Sequence, residues 1–166
     1  IPYKKSLEDY GTDKPDLRNP LIIKDVTDIF RKSDFKIFSK KIDEDCIVKS
    51  ITVKGIADKP RSFFDKMNNW SKEEGATGLG YINYHDNEYK GPIAKNLDNN
   101  RLNKFSLKNN FSIFFICDKK KEAQLFAGKV REKIGNELNL IDNESYQFCW
   151  IIDYPMYEYD EKLKKI

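Results

Sequence analysis

The sequence predicts an α+β domain, a two-layer sandwich in which helices cover one face of a mostly antiparallel sheet. Three observations lead there. Strand-like and helix-like segments mix without the strict alternation that builds a parallel sheet. The run Phe111-Ser112-Ile113-Phe114-Phe115-Ile116-Cys117 is almost continuously apolar, as befits a central strand covered on at least one face. After it Ala123, Phe126, Ala127, Val130, Ile134 and Leu138 recur at helical spacing.

In chain order, Ser6 to Tyr10 reads as a short helix that Gly11 stops, and Thr12 to Pro20 as a structured loop. Asp25 to Lys32 is expected to be helical, with Val26, Ile29 and Phe30 on one face. Phe35 to Phe38 and Ile47 to Val53 read as strands on either side of the polar turn Asp43-Glu44-Asp45. Pro60 suits the first turn of a helix that runs to about Glu74, with Phe63, Phe64, Met67 and Trp70 as its apolar stripe. Gly78 to Tyr84 is a strand whose glycines mark a close backbone approach, and His85 to Glu88 is the turn after it. A short segment follows Pro92, then a helix over Asn100 to Leu107. Asp118 is placed to cap the long helix. Phe148 to Ile152 reads as a last strand, ending before Pro155.

The 166 residues fit one domain with ragged flanks, and 39% hydrophobic content supports a core. A net charge of +3 is too small to mark a nucleic-acid binder by itself. No apolar stretch approaches the roughly 18 residues of a membrane span, and no secretory leader opens the chain. The start at Ile1 and the charged run at the end read as cut ends. Cys46, Cys117 and Cys149 each sit in an apolar run and are expected buried and reduced, as in a cytoplasmic protein. Phe115→Asp and Phe126→Ala are both expected to destabilise the core strongly.

Chemical motifs are scarce. Phosphate-loop, dinucleotide, nucleophile-elbow and zinc-protease patterns are all absent. His85 reads as a solvated turn residue without a partner for base catalysis. Asp153, Glu158, Asp160 and Glu161 read as an acidic rim. Lys119, Lys120 and Lys121 fall where a helix starts, the unfavourable end of its dipole for cations. Tyr81, Tyr84 and Tyr89 suit packing over a sheet better than a platform for unpaired bases.

Two segments carry a resemblance. Tyr10-Gly11-Thr12-Asp13-Lys14-Pro15-Asp16-Leu17-Arg18-Asn19-Pro20 and Trp150-Ile151-Ile152-Asp153-Tyr154-Pro155-Met156-Tyr157-Glu158 resemble flanking segments of bacterial-type aspartyl-tRNA synthetases. Thr12, Tyr154 and Tyr157 depart mildly from the usual Ser and Phe. Between them, Glu74 to Ile82 and Gly91 to Leu97 are similar to interior segments of that family. The resemblance covers essentially the whole chain.

It implies an internal fragment: a catalytic-domain flank over 1–20, a GAD insertion domain over 21–144 and a second flank over 145–166. It further implies a parent that activates aspartate with ATP and magnesium and transfers it to tRNA, acting as a cytoplasmic homodimer. No catalytic, cofactor-binding or metal-binding residue carries over to this chain, which is expected to be inactive alone. Asp13, Lys14, Asp16, Arg18, Asp153 and Pro155 are expected to anchor the boundary of the insertion, within the rest of the parent enzyme. Lys40, Lys41, Lys119, Lys120 and Lys121 are the candidates for weak contacts with the aspartate tRNA. A stand-alone RNA-binding module and the GAD domain of the amidotransferase B subunit are the alternatives.

Overall fold

The computed structural model describes residues 1–157. Five strands form one antiparallel sheet: β1 (Ile23–Asp25), β2 (Cys46–Lys54), β3 (Gly80–His85), β4 (Glu88–Lys90) and β5 (Phe111–Lys119), in the order β1-β2-β5-β3-β4. β5 is central, as its apolar run predicts. It pairs along its whole length with β2, from Cys46↔Lys119 to Lys54↔Phe111, and on its other edge with β3.

Side chains of β5 alternate between two cores. Phe114 and Ile116 join Ile23, Ile51 and Val53 beneath the two long helices, α4 (Arg61–Glu73) and α6 (Lys120–Glu137). Those helices supply Phe64, Met67, Ala123, Ala127, Val130 and Ile134. The long helices therefore share one face, as expected. The other face is covered too. Ile113, Phe115 and Cys117 pack there with Phe30, Phe38 and Ile42, contributed by α2 (Thr27–Phe30) and α3 (Lys36–Asp43), and with Leu102 of α5 (Asn99–Lys104). A strand apolar at nearly every position needs a cover on both sides. Phe30 meets the rings of Phe38 and Phe115 edge-on at 5.0 Å and 5.2 Å.

Several expectations need correction. Phe35 to Phe38 is not a strand but the entry into α3, since Phe35, Phe38 and Ile42 recur at helical spacing and pack together on the second core. The expected helix over Asp25 to Lys32 is really β1 followed by the single turn of α2. The turn expected over His85 to Glu88 is present, as a tight β3–β4 hairpin with Asp86 and Asn87 both at positive φ. Asp118 does not cap α6. Its carboxylate accepts from the neighbouring Lys119 N–H at 2.8 Å, and no side chain caps that helix.

Phe148 to Ile152 forms no strand. Its one ladder contact is a parallel bridge, Pro2↔Ile152, and Phe148 and Trp150 are 92% and 86% exposed. Among the described residues no other strand lies beside it. None of the helices in that range is long and apolar enough to cross a membrane.

Candidate functional site

Three places are built more carefully than packing alone requires: a lysine face, a cleft beside it, and a clasp that holds the N-terminal arm.

The lysine face gathers the two runs singled out in the sequence. Lys40 and Lys41 occupy the last turn of α3, and the Cys46↔Lys119 register sets the end of α3 beside the end of β5. Lys41 Nζ donates to the Cys117 carbonyl at 3.4 Å and to Thr77 Oγ1 at 3.3 Å. Lys119 Nζ donates to the Glu44 carbonyl. Lys40, Lys120 and Lys121 are exposed. The acids of the α3–β2 turn, Asp43, Glu44 and Asp45, stand in the same region, so the face is mixed in sign.

Lys41 also borders a cleft of about 640 Å³. Its walls come from the start of α3, from Arg61 and Asp65 of α4, from Thr77 to Tyr81, and from Gly91 to Lys95. Two glycines bring its floor together. A Cβ on Gly80 would stand 2.5 Å from Ile93 Cδ1, and one on Gly91, at φ +117, would stand 2.8 Å from the Tyr81 carbonyl. The sequence expectation of a close approach applies to Gly80, and Gly78 beside it holds φ +146. Tyr81 stacks on Phe64 at 4.3 Å, and burial raises its phenol pKa. Tyr84 and Tyr89 pack together, rings tilted and 4.5 Å apart, against the opposite core. The three tyrosines therefore share no platform, and the packing reading holds. The sequence reading missed this cleft because four separated segments line it and none carries a motif.

The clasp centres on Arg131, only 3% exposed within α6. Its guanidinium donates to the carbonyls of Leu21 at 2.6 Å, Asn19 at 2.6 Å and Asp16 at 3.0 Å. Asn19 replies by donating Nδ2 to the Arg131 carbonyl at 3.0 Å. The Tyr10 ring lies 5.0 Å from the guanidinium. Beside it α1 (Tyr3–Tyr10) ends at Gly11 in the left-handed conformation, as expected, and crosses α6 at Gly128, where an added Cβ would meet the Gly11 carbonyl at 2.8 Å. Arg131 was legible in hindsight: with Ala127 and Ile134 it falls on the buried stripe of α6.

The boundary residues lie around this clasp. Asp16 and Arg18 form a forked pair, with Nε and Nη2 at 2.9 Å and 2.8 Å from the two carboxylate oxygens. The Arg18 guanidinium holds the Asp16 carboxyl below its ordinary range. Asp13 accepts from the Tyr154 hydroxyl at 3.4 Å, and the Lys14 amide donates to Thr12 Oγ1 at 3.1 Å. Asp153, at φ 60, and Pro155 are exposed. The two end segments run side by side. Ile1 N donates to the Trp150 carbonyl at 2.6 Å, Ile152 N to the Ile1 carbonyl at 3.0 Å, and Tyr3 N to the Ile152 carbonyl at 2.8 Å.

Other candidates recede. The His85 side chain lies 3.4 Å from the carboxylate of its neighbour Asp86. Among the described residues no group of three or more His, Cys, Asp or Glu side chains could hold a metal ion. Cys46 and Cys117 are buried as expected, and burial pushes the Cys117 thiol up to about 12. Cys149 is exposed, contrary to expectation, because the strand meant to bury it is not formed. Glu158, Asp160 and Glu161 lie outside the described residues.

The GAD domain matches residues 38–126. The aspartate–tRNA(Asp/Asn) ligase of Wolbachia sp. subsp. Brugia malayi is 52% identical across all of this chain, which spans 29% of that protein. The ligase of the same description from Paramagnetospirillum magneticum is 50% identical over 98% of the chain, and that from Gluconobacter oxydans 47% over all of it. The chain spans 19% and 28% of those two relatives.

Proposed function

Because this chain belongs to the GAD domain family, we propose that it is the insertion domain of an aspartate–tRNA ligase and that its own work is architectural and tRNA-orienting. The observation that carries this reading is the pairing of residues 1–3 with 150–152. A domain inserted into a host must leave and return at neighbouring points, and here both segments already run parallel and hydrogen-bonded. The aspartate–tRNA(Asp/Asn) ligases that match these end segments as well as the interior support the same host.

On this reading the parent activates aspartate with ATP and magnesium and transfers it to the tRNA for aspartate or asparagine, as a homodimer in the cytoplasm. That chemistry belongs to the rest of the parent. The boundaries near residues 20 and 144 separate the insertion from its flanks. Asp16, Arg18, Asp13 and the Arg131 clasp set the angle at which the insertion stands on its host. Asp153 and Pro155 shape the return. Lys40, Lys41, Lys119, Lys120 and Lys121 offer a few phosphate contacts, weak in isolation. Beside a tRNA held elsewhere on the enzyme they act at high effective concentration.

The test uses the whole ligase carrying Lys40→Glu, Lys119→Glu and Lys120→Glu together. The KM for tRNA is expected to rise several-fold and to depend more weakly on salt, while aspartate-dependent pyrophosphate exchange stays unchanged. An unchanged KM for tRNA would remove the orienting role.

A further inference from the structure

We propose that the cleft between α3, Thr77–Tyr81 and Gly91–Lys95 holds an unpaired nucleotide of single-stranded RNA. The site deepens the tRNA-orienting reading above and rests on it for the identity of the RNA.

Three observations point to this occupant. The first is charge. Lys41 and Lys95 border the cleft with Arg61, against a single carboxylate, Asp65, which Arg61 already meets at 3.5 Å. Lys95 has no ion-pair or hydrogen-bond partner among the described residues, and Lys41 has only long contacts to Thr77 and Cys117. Two under-used ammonium groups at the rim suit successive phosphates.

The second is the apolar wall. Ile37 is 64% exposed although its neighbour Phe38 and, further along α3, Ile42 are buried. It stands at the cleft edge with Pro92 and Phe35. A base has a flat apolar face that would cover this side chain. At about 640 Å³ the recess suits a small organic group. A base can enter it only if it is unpaired, because the edges of a paired base are occupied.

The third is continuity. Lys41 belongs both to the cleft and to the lysine face, so a strand whose base sits in the recess can run its backbone on towards Lys40, Lys119 and Lys120. A repeating polyanion uses such a track. An acidic peptide would match the charges but would leave the recess between them unfilled.

The experiment titrates the isotopically labelled chain with single-stranded hexauridylate and follows backbone amides by NMR. Shifts are expected at Thr77–Tyr81 and Gly91–Lys95. Two phosphate contacts predict a log–log salt slope of about −1.4. Lys95→Glu is expected to weaken binding by about tenfold or more, and Ile37→Ser several-fold. Lys54→Glu, at the far end of β2, should have no effect. Lys95, Ile37 and Lys54 are all exposed, so the same spectra verify folding.

Equal binding of an RNA duplex or of hexaglutamate would overturn the site, and so would no binding at all. Shifts confined to the lysine face, with the cleft silent, would overturn it while leaving the orienting role intact. Cleft binding by hexauridylate, combined with an unchanged tRNA KM for the whole ligase carrying Lys95→Glu, would uphold the site and remove its role in orienting tRNA.

Discussion

The two end segments lie side by side but attach in opposite ways. Residues 1–20 are mostly polar and carry no apolar stripe of their own, yet Ser6, Gly11 and Asn19 are buried and three carbonyls of the arm and its exit are held by Arg131. Residues 145–157 are rich in aromatic side chains, yet Tyr146, Phe148 and Trp150 are each at least 86% exposed. Apolar content therefore does not report attachment at these ends. A polar segment docks when its backbone carbonyls find buried donors, and an aromatic one stays out when no matching surface is present.

The largest effect expected from this contrast follows Arg131→Met. It keeps bulk but leaves the carbonyls of Asp16, Asn19 and Leu21 without their donor, at a cost of about 3–5 kcal/mol. Urea unfolding measures it, and a loss below about 1 kcal/mol would mean that the arm is held by something other than the clasp.

A smaller effect is expected from acid. Arg18 holds the folded Asp16 pKa below its unfolded value. The pair therefore stabilises the arm above the unfolded carboxylate pKa of about 3.9, and this is lost as pH falls through the folded value. Both side chains are about a third or more exposed, so solvent screens the pair and the gain is small. The stability difference between the wild type and Asp16→Asn should be small at neutral pH and vanish in acid. A difference that grows on acidification would reverse the assignment.

The smallest effect is expected in the opposite segment. Trp150→Ser should change stability by no more than about 0.5 kcal/mol, despite removing the largest side chain there. A thermal midpoint lowered by several degrees would show that the C-terminal segment is docked after all.

Legibility in the sequence followed the length and regularity of each element. β5 and α6 were readable because seven and sixteen residues repeat one pattern, and Gly11 and Pro60 punctuated α1 and α4. β1 and β4, three residues each, are too short to show a period, and their pairing comes from the strands beside them. α3 was misread because Phe35 to Phe38 is mostly apolar in a window too short to separate two periods. Phe115 is fully buried, so Phe115→Asp remains a severe change. Phe126 is only partly buried, stacked on Trp70 at 6.0 Å, so Phe126→Ala should cost less than first expected. The lysines of the candidate site were visible as runs, but their meeting depends on the β2–β5 register.

If the chain is an insertion, as proposed, the bridge between Pro2 and Ile152 bears on how its host assembles. Closing an unstructured loop of this length costs roughly 4 kcal/mol in chain entropy. Once the insertion has folded, its two ends emerge a few ångströms apart and that cost is already met. The host would then experience the long excursion as little more than a hairpin turn. Folding of the insertion would come before closure of the host sheet, and a variant that loosens the insertion would slow maturation of the whole enzyme without touching a catalytic group.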